Sequence, residues 1–256
     1  MKVLKKLSVV ALFVFSTSAC AFSQAGVPFE KALITPDHVK EAIEIQKEAD
    51  KNQDAEPSEG EAWFKVIPGD SPIIISAPHA TQPFREGKYR FSDGGGTAAL
   101  AVMLGKITNS TVIYTTKASP SDPNYYDNND YKGRLAEIIQ AKKPKLILDI
   151  HGSHPFRPYE VDIGTLNGKS LLGNDNLVTG LIASLRNEGL SNFSNNYFAA
   201  SKNETVAKFG AAHGVSSMQL EITSVWMVPG DGNYESHRFA QILQGLVRFV
   251  EKVKSE

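Results

Sequence analysis

Short apolar runs alternate with longer segments of helical periodicity along most of the chain. The runs that predict strands are residues 73–77, 111–115, 146–150, 160–165 and 217–223. The segments that predict helices are residues 35–50, 95–104, 131–141, 177–187 and 235–253. Strands that alternate with helices in this way are typical of an α/β fold, with a mostly parallel or mixed central sheet and helices on both faces.

The start of the chain follows a different pattern. Lysines precede a short apolar run at residues 7–15, and small residues follow up to Ala21. This order is typical of a secretory signal peptide, and the run is shorter than the ~20 apolar residues that span a bilayer. We therefore expect residues 1–21 to be a signal peptide, and the mature protein to be exported to the periplasm or the cell envelope.

Cys20 is the only cysteine of the chain, so no disulfide can form within it. The triplet Ala19-Cys20-Ala21 fits cleavage after Ala21, which would release a free protein. Residues 17–20 also resemble a bacterial lipobox, in which Cys20 would be lipidated and would anchor a lipoprotein to the membrane. Both interpretations stay open at this point.

The rest of the chain divides at a polar stretch. Residues 22–62 contain a helix signal, with Thr35 as cap and Pro36 at the first position, and then an acidic linker. We place a single α/β catalytic domain at residues 63–256. The net charge of −1 and the lack of a basic cluster argue against a nucleic-acid partner.

Two histidines and a glutamate fall at or near predicted strand ends. His79 follows the run at residues 73–77, His151 follows the run at residues 146–150, and Glu221 lies within the last strand. Ligands of open α/β sheets bind outside the carboxyl ends of the strands, so these side chains can converge. Imidazole is a preferred zinc ligand, and a separate glutamate can take a proton from water. Ordinary turn histidines would give the same pattern.

The residues alone leave the third ligand open. Asp93 precedes the glycines at 94–96 and a helix, where its ordinary role would be an N-cap. Glu86 is a rival for the metal. His154 is followed by Pro155, and we interpret it as a loop residue near the site.

An ordered series of short motifs surrounds these residues. The motifs are Ala77-Pro78-His79, Arg85-Glu86-Gly87-Lys88, Asp93 with Thr97, Asp122-Pro123-Asn124-Tyr125, Leu148-Asp149-Ile150-His151-Gly152, Asp162-Ile163-Gly164-Thr165 and Leu220-Glu221-Ile222. Together they resemble the N-formylglutamate amidohydrolase-like family, whose members share a zinc-carboxypeptidase-like α/β architecture. The resemblance covers roughly residues 72–225.

The resemblance implies a zinc ion bound by His79, Asp93 and His151, with Glu221 as general base. It also implies an amidohydrolase whose small-molecule or peptide-like substrate carries a carboxylate, as an N-acyl amino acid or a γ-glutamyl compound does. Asp149 lies on the same strand face as His151 and can orient a histidine.

Substrate contacts are expected from a small set of polar residues. The candidates are Arg85, Arg134, Arg157 and Asn124. The family's Asp-x-Asn-Arg arrangement is not matched, because no arginine adjoins Asn124, so N-formylglutamate itself is not implied as the substrate. The alternative function is a non-catalytic envelope protein that binds a peptide or another carboxylate ligand in a degenerate pocket.

Overall fold

The structure is a computed structural model that describes residues 31–256. The strands are β1 (Phe64–Ile67), β2 (Ile73–Ala77), β3 (Phe84–Arg85), β4 (Lys88–Tyr89), β5 (Thr111–Thr115), β6 (Leu146–Ser153), β7 (Val161–Gly164), β8 (Phe193–Asn195) and β9 (Ser216–Thr223). The helices are α1 (Pro36–Asn52), α2 (Thr97–Thr108), α3 (Asp130–Lys142), α4 (Asn176–Asn187), α5 (Val206–Ala212), α6 (Ser224–Met227) and α7 (Asn233–Ser255). The expected signal peptide and Cys20 lie outside the described residues.

A seven-stranded mixed sheet forms the centre, in the order β1-β5-β2-β6-β9-β7-β8. The inner strands β5, β2, β6 and β9 run parallel to one another. Antiparallel strands flank them, since β1 pairs antiparallel with β5 and β7 with β9. The two-stranded sheet of β3 and β4 is separate. The predicted mixed sheet is therefore confirmed.

Helices cover both faces of this sheet, as predicted. On one face, alternate residues of the inner strands, such as Ile75 and Leu148, share one core cluster with side chains of α1, α2, α4 and α7. On the other face, α3 and α5 pack against the intervening residues, such as Ile74 and Ile147. Because both faces are buried, the inner strands have nearly continuous apolar sequences.

The helix α1 belongs to this same body. Its first turn is capped by the Thr35 hydroxyl, which accepts a hydrogen bond from the His38 backbone N–H. Its inner side chains, including Val39 and Ala42, are buried in the core cluster that contains α2 and α7. One compact unit therefore runs from Ala32 to Glu256, rather than starting near Trp63. In the part of the chain that the structure describes, no helix is long and apolar enough to cross a membrane.

The alternation of side chains in β6 and β9 decides which residues can meet at the site. Ile147 packs on the face that α3 covers, and Asp149 and His151 follow on that face because side chains alternate along a strand. In the parallel register, His151 is paired with Glu221. The two side chains therefore emerge side by side near the carboxyl ends of the strands.

Candidate metal centre

His79 lies just beyond the carboxyl end of β2, with its ring mostly buried. Its Nε2 lies 2.7 Å from Asp122 Oδ1. Asp122 is itself held in place, because it accepts a hydrogen bond of 2.8 Å from the backbone N–H of Asn124 and lies 3.4 Å from Arg85 Nη1. One nitrogen of the His79 ring is thus occupied by a fixed carboxylate, which leaves Nδ1 for another partner.

His151 is almost completely buried within β6. Its Nε2 lies 3.0 Å from Asp149 Oδ2, and Asp149 Oδ1 accepts a hydrogen bond of 2.8 Å from the Ser76 hydroxyl. This contact agrees with the expectation that Asp149 orients a histidine. The ring again has only Nδ1 left for a further partner.

Asp93 lies between the free nitrogens of the two rings. Its Oδ2 lies 2.7 Å from His151 Nδ1 and 3.5 Å from His79 Nδ1. It is not the N-cap of α2, because that position is taken by Gly96, whose φ of 108° is in the left-handed region. The alternative capping role therefore does not apply.

The donor set fits a zinc-type cation. The ligand atoms of His79, Asp93 and His151 lie within 4.8 Å of one another, and the two rings are roughly perpendicular at 81°. Histidines that bind metals usually donate their second N–H to a carboxylate or carbonyl, and here both rings face a carboxylate in this way. Two imidazoles and one carboxylate form a common catalytic zinc set.

The charge around the two rings also favours a cation. Burial acts to lower the pKa of His79, but the charges of Asp122 and Asp93 outweigh burial and raise it to about 9. Burial likewise acts to lower the pKa of His151, and Asp149 and Asp93 raise it well above its usual value. The rings therefore hold extra protons at neutral pH, and a metal ion would replace them because histidine binds metals in its neutral form.

Glu221 lies beside these three ligands without belonging to the cluster. Its Oε1 accepts a hydrogen bond of 2.9 Å from Gln219 Nε2. Burial raises the pKa of Glu221 to about 7, although the positive charge of His151 opposes the shift. A carboxylate whose pKa is close to neutral is suited to general-base catalysis near pH 7.

The three arginines differ in their surroundings. Arg85 reaches Asp122, and its guanidinium lies 5.1 Å from the centre of the Tyr125 ring. Arg157 is exposed in the loop after β6, with its guanidinium 4.8 Å from the Phe198 ring centre. Arg134 is half exposed on α3 and pairs with Glu137 at 2.5 Å, so its contact is a surface ion pair and the expected substrate role has no support.

Asn124, for which we predict a substrate contact, forms hydrogen bonds inside the protein. Its Oδ1 accepts a hydrogen bond of 2.6 Å from the Val206 backbone N–H, and its Nδ2 donates to Gln219 Oε1 at 3.1 Å. Both ends of the amide are therefore engaged within the buried protein. Its Nδ2 also lies 3.1 Å from His151 Nε2, so the amide packs against the ring.

The rival ligand Glu86 lies elsewhere. It occupies the turn between β3 and β4 with a φ of 53°, is exposed to solvent, and accepts a hydrogen bond of 2.9 Å from the Tyr125 hydroxyl. His154 is exposed in the loop after β6, as interpreted from the sequence, and its ring lies against Phe156 at 4.9 Å between ring centroids.

The main residue without a sequence-based role is Asp122. It was identified only as part of the Asp122-Pro123-Asn124 motif. Histidines that bind metals are usually paired with carboxylates, and this rule could have suggested a role for Asp122. However, Asp122 lies 43 positions from His79 along the chain, so no local sequence pattern indicates the contact.

Fold and site together define an α/β protein with a histidine–carboxylate centre at the carboxyl ends of its parallel strands. No sequence-family model matches the chain, and no curated protein matches it. Many solved structures, however, are similar to it in fold.

The crystal structure of N-formylglutamate amidohydrolase from Ralstonia eutropha superposes with a TM-score of 0.54 at 15% identity, covering 76% of this chain and 99% of that chain. A gene product from Agrobacterium tumefaciens gives a TM-score of 0.52 at 15% identity, covering 78% and 99%. A metallo-carboxypeptidase from Pseudomonas aeruginosa gives 0.49 at 10% identity, covering 87% and 70%. The fold is thus similar to that of an N-formylglutamate amidohydrolase, as the motifs implied.

Proposed function

We propose that this chain is an exported, zinc-dependent amidohydrolase that cleaves an amide bond in a carboxylate-bearing substrate. The observation that carries the proposal is the cluster of His79, Asp93 and His151, in which the second nitrogen of each ring faces a carboxylate. The half-buried Glu221 beside the cluster supports a catalytic role over metal binding alone. The fold, which is similar to that of an amidohydrolase, supports the reaction class.

In this proposal His79, Asp93 and His151 hold the zinc, which when bound lowers the pKa of water and polarises a carbonyl group. Glu221 accepts the proton of the attacking water as the new carbon–oxygen bond forms. Glu221 then gives this proton to the leaving nitrogen as the carbon–nitrogen bond breaks. The products are a carboxylic acid and an amine. Asp122 and Asp149 keep the two rings oriented throughout.

We assign the substrate carboxylate to Arg85. Its side chain is 22% exposed, and the contact with Asp122 keeps it next to His79. Its Nε is buried and has no hydrogen-bond partner among residues 31–256. A guanidinium that is fixed at one side and has a free donor can bind a carboxylate. Arg157 is the second candidate, because it is exposed in the loop that follows β6.

Export to the periplasm or the cell envelope is part of the proposal. It is supported by the order of lysines, apolar residues and small residues at positions 1–21. A substrate in that compartment would be a cell-envelope amide, such as an N-acyl amino acid, a γ-glutamyl compound or a peptide-like molecule.

The proposal is tested by turnover of a panel of N-formyl, N-acetyl and γ-glutamyl amino acids, followed by detection of the released amine. We expect at least one member to be cleaved, a metal chelator to abolish cleavage, and added zinc to restore it. Cleavage that persists in protein shown to be free of metal would contradict the metal mechanism. Binding of a panel member without any cleavage would support the non-catalytic binding protein instead.

A further inference from the structure

Two buried hydroxyl groups next to the site have no hydrogen-bond partner among the described residues. They are the Oη atom of Tyr159 and the Oγ atom of Ser153. Tyr159 is only 2% exposed, so bulk solvent does not reach its hydroxyl. Buried polar groups are nearly always paired, and one that is left unpaired is unfavourable and calls for an explanation.

The register of the strands places both hydroxyls beside the catalytic residues. Ser153 follows His151 by two positions in β6, so the two side chains lie on the same face. Its partner in β9 is Thr223, two positions after Glu221. Tyr159 precedes β7, whose pairing with β9 brings this segment to the same strand ends, where the Thr223 N–H donates to the Glu160 carbonyl at 3.0 Å.

The Tyr159 ring is held in a fixed position. It packs edge to face against Tyr197, with 5.4 Å between the ring centroids. The loop that carries Tyr197 is fastened to the sheet by Asp162, which accepts hydrogen bonds from the backbone N–H groups of Tyr197 at 3.0 Å and Phe198 at 2.7 Å. The hydroxyl is therefore presented at one place rather than being free to turn to solvent.

The hydroxyl of Tyr159 also stays protonated over the working range of the proposed enzyme. Burial raises the pKa of Tyr159 to about 12, with a smaller contribution from the charge of Glu221, and the neighbouring Ser153 hydroxyl opposes the shift. A neutral phenol at this position is a hydrogen-bond donor. Among residues 31–256 this donor has no hydrogen-bond partner of good geometry, so it is available to a bound molecule.

We propose that Tyr159 and Ser153 form a hydrogen-bonding subsite for the substrate, in which the Tyr159 hydroxyl donates to a substrate oxygen next to the bond that is cut. Ser153 completes the contact from β6. The inference rests on the proposed function and deepens it, since it assigns the Glu221 side of the site to recognition of the amide. Sites built around a hydrogen bond discriminate strongly against analogues that lack the bonding group.

The test compares Tyr159→Phe, Ser153→Ala and the double variant with the wild-type zinc-loaded protein. The acyl-amino-acid panel serves for turnover and for calorimetric binding. We expect Tyr159→Phe to lower kcat/KM at least about tenfold, the loss that corresponds to one good hydrogen bond, with unchanged zinc content. Ser153→Ala should have less effect in the Tyr159→Phe background than alone, because the two groups act together.

Tyr131→Phe provides the matched control for stability. The Tyr131 hydroxyl is also buried, but it donates to the Ile113 carbonyl at 2.8 Å and contacts the Ser76 hydroxyl at 2.9 Å. Its removal should lower the thermal midpoint by roughly 2–4 °C. Removal of the unpaired Tyr159 hydroxyl should leave the midpoint unchanged or raise it.

The outcomes separate the subsite from the proposed function. Turnover that does not depend on Tyr159 would overturn the subsite and leave the function standing. Binding that is weakened by Tyr159→Phe, without any turnover, would support the subsite and overturn the hydrolase. A thermal midpoint that falls as far as in Tyr131→Phe would give the hydroxyl a structural role and overturn the subsite. A panel that is neither bound nor cleaved would overturn both.

Discussion

Carboxylates surround both imidazole rings of the site, and each carboxylate has a different task. Asp93 faces the Nδ1 atoms of both rings, at 3.5 Å and 2.7 Å. Asp122 and Asp149 each face one Nε2 atom. Glu221 faces neither ring at hydrogen-bond distance, and it accepts a hydrogen bond from Gln219 instead. This division predicts that substitution of a ligand and substitution of the base will have different consequences.

Replacing Glu221 should remove catalysis without removing the metal. Glu221→Gln keeps the size of the side chain but cannot accept the proton of water. We expect kcat to fall by about 10²–10⁴-fold, the usual contribution of general-base catalysis, while zinc content stays at the wild-type level. His151→Ala is the matched comparison, and it should lose zinc and activity together.

Turnover rates and zinc content, measured on the same samples of the Glu221→Gln variant, test this prediction. If Glu221→Gln keeps more than about a tenth of the wild-type activity, a proton acceptor other than Glu221 is at work. If it loses zinc, Glu221 is a ligand and the three-residue metal site is incomplete.

The pKa values of the two histidines predict how the stability of the metal-free protein depends on pH. The pKa of His79 is raised from 6.5 to about 9, so the folded state binds more protons than the unfolded state between these values. The stabilisation is complete below about pH 6.5 and is lost as the pH rises through about 9. We expect the thermal midpoint of metal-free protein to fall across this window.

Zinc-loaded protein is the control for this pH series, because its rings would already be deprotonated. Its midpoint should not show the same decrease. Metal-free protein with a level midpoint between about pH 6.5 and about pH 9 would show that the rings are not stabilised by their protons.

The ends of the secondary structure elements position the three residues of the proposed metal site. Gly152, next to His151 in β6, lies directly against the segment that carries Asp93. A Cβ atom at Gly152 would lie 2.9 Å from the Asp93 carbonyl oxygen and 3.3 Å from its Cβ atom. A side chain at this position would therefore push Asp93 away from the two rings.

We expect Gly152→Ala to weaken zinc binding at least roughly tenfold, the range found when groups that support a ligand are altered. Gly133→Ala is the control, because Gly133 lies in α3 with no atom within 4 Å of an added Cβ atom. It should bind zinc like the wild type. Equal zinc affinity for both variants, measured by competition with a chromogenic chelator, would mean that the close approach of Gly152 and Asp93 has no functional role.

Periodicity predicted the long elements and the strand-end histidines, because burial on one or both faces imposes a repeating sequence pattern. The short strands β1, β3, β4 and β8 and the short helices α5 and α6 were not predicted, since so few residues carry no clear period. The surroundings of Asn124 and Arg134 were not predicted for another reason. Whether a polar side chain faces the site, the core or solvent depends on contacts between distant segments, and a single sequence does not encode those contacts locally.

For the chain as a whole, α1 is part of the same body as the site, and the proposed export rests on the first 21 residues. The predicted leader ends at Ala21, next to Cys20. We expect mass spectrometry of protein produced in a bacterial host to show a mature N-terminus at Phe22. A diacylglycerol adduct on Cys20 would instead establish a lipoprotein, and an intact Met1 would contradict export.

The central claim is that His79, Asp93 and His151 bind one catalytic zinc ion. Anomalous diffraction at the zinc edge, from crystals of the zinc-loaded protein, tests it most directly. We expect a peak about 2.0–2.2 Å from Nδ1 of both histidines and from a carboxylate oxygen of Asp93. Loaded crystals without a peak at this position, or with the two imidazoles more than about 8 Å apart, would contradict the claim, because one ion cannot bridge that distance.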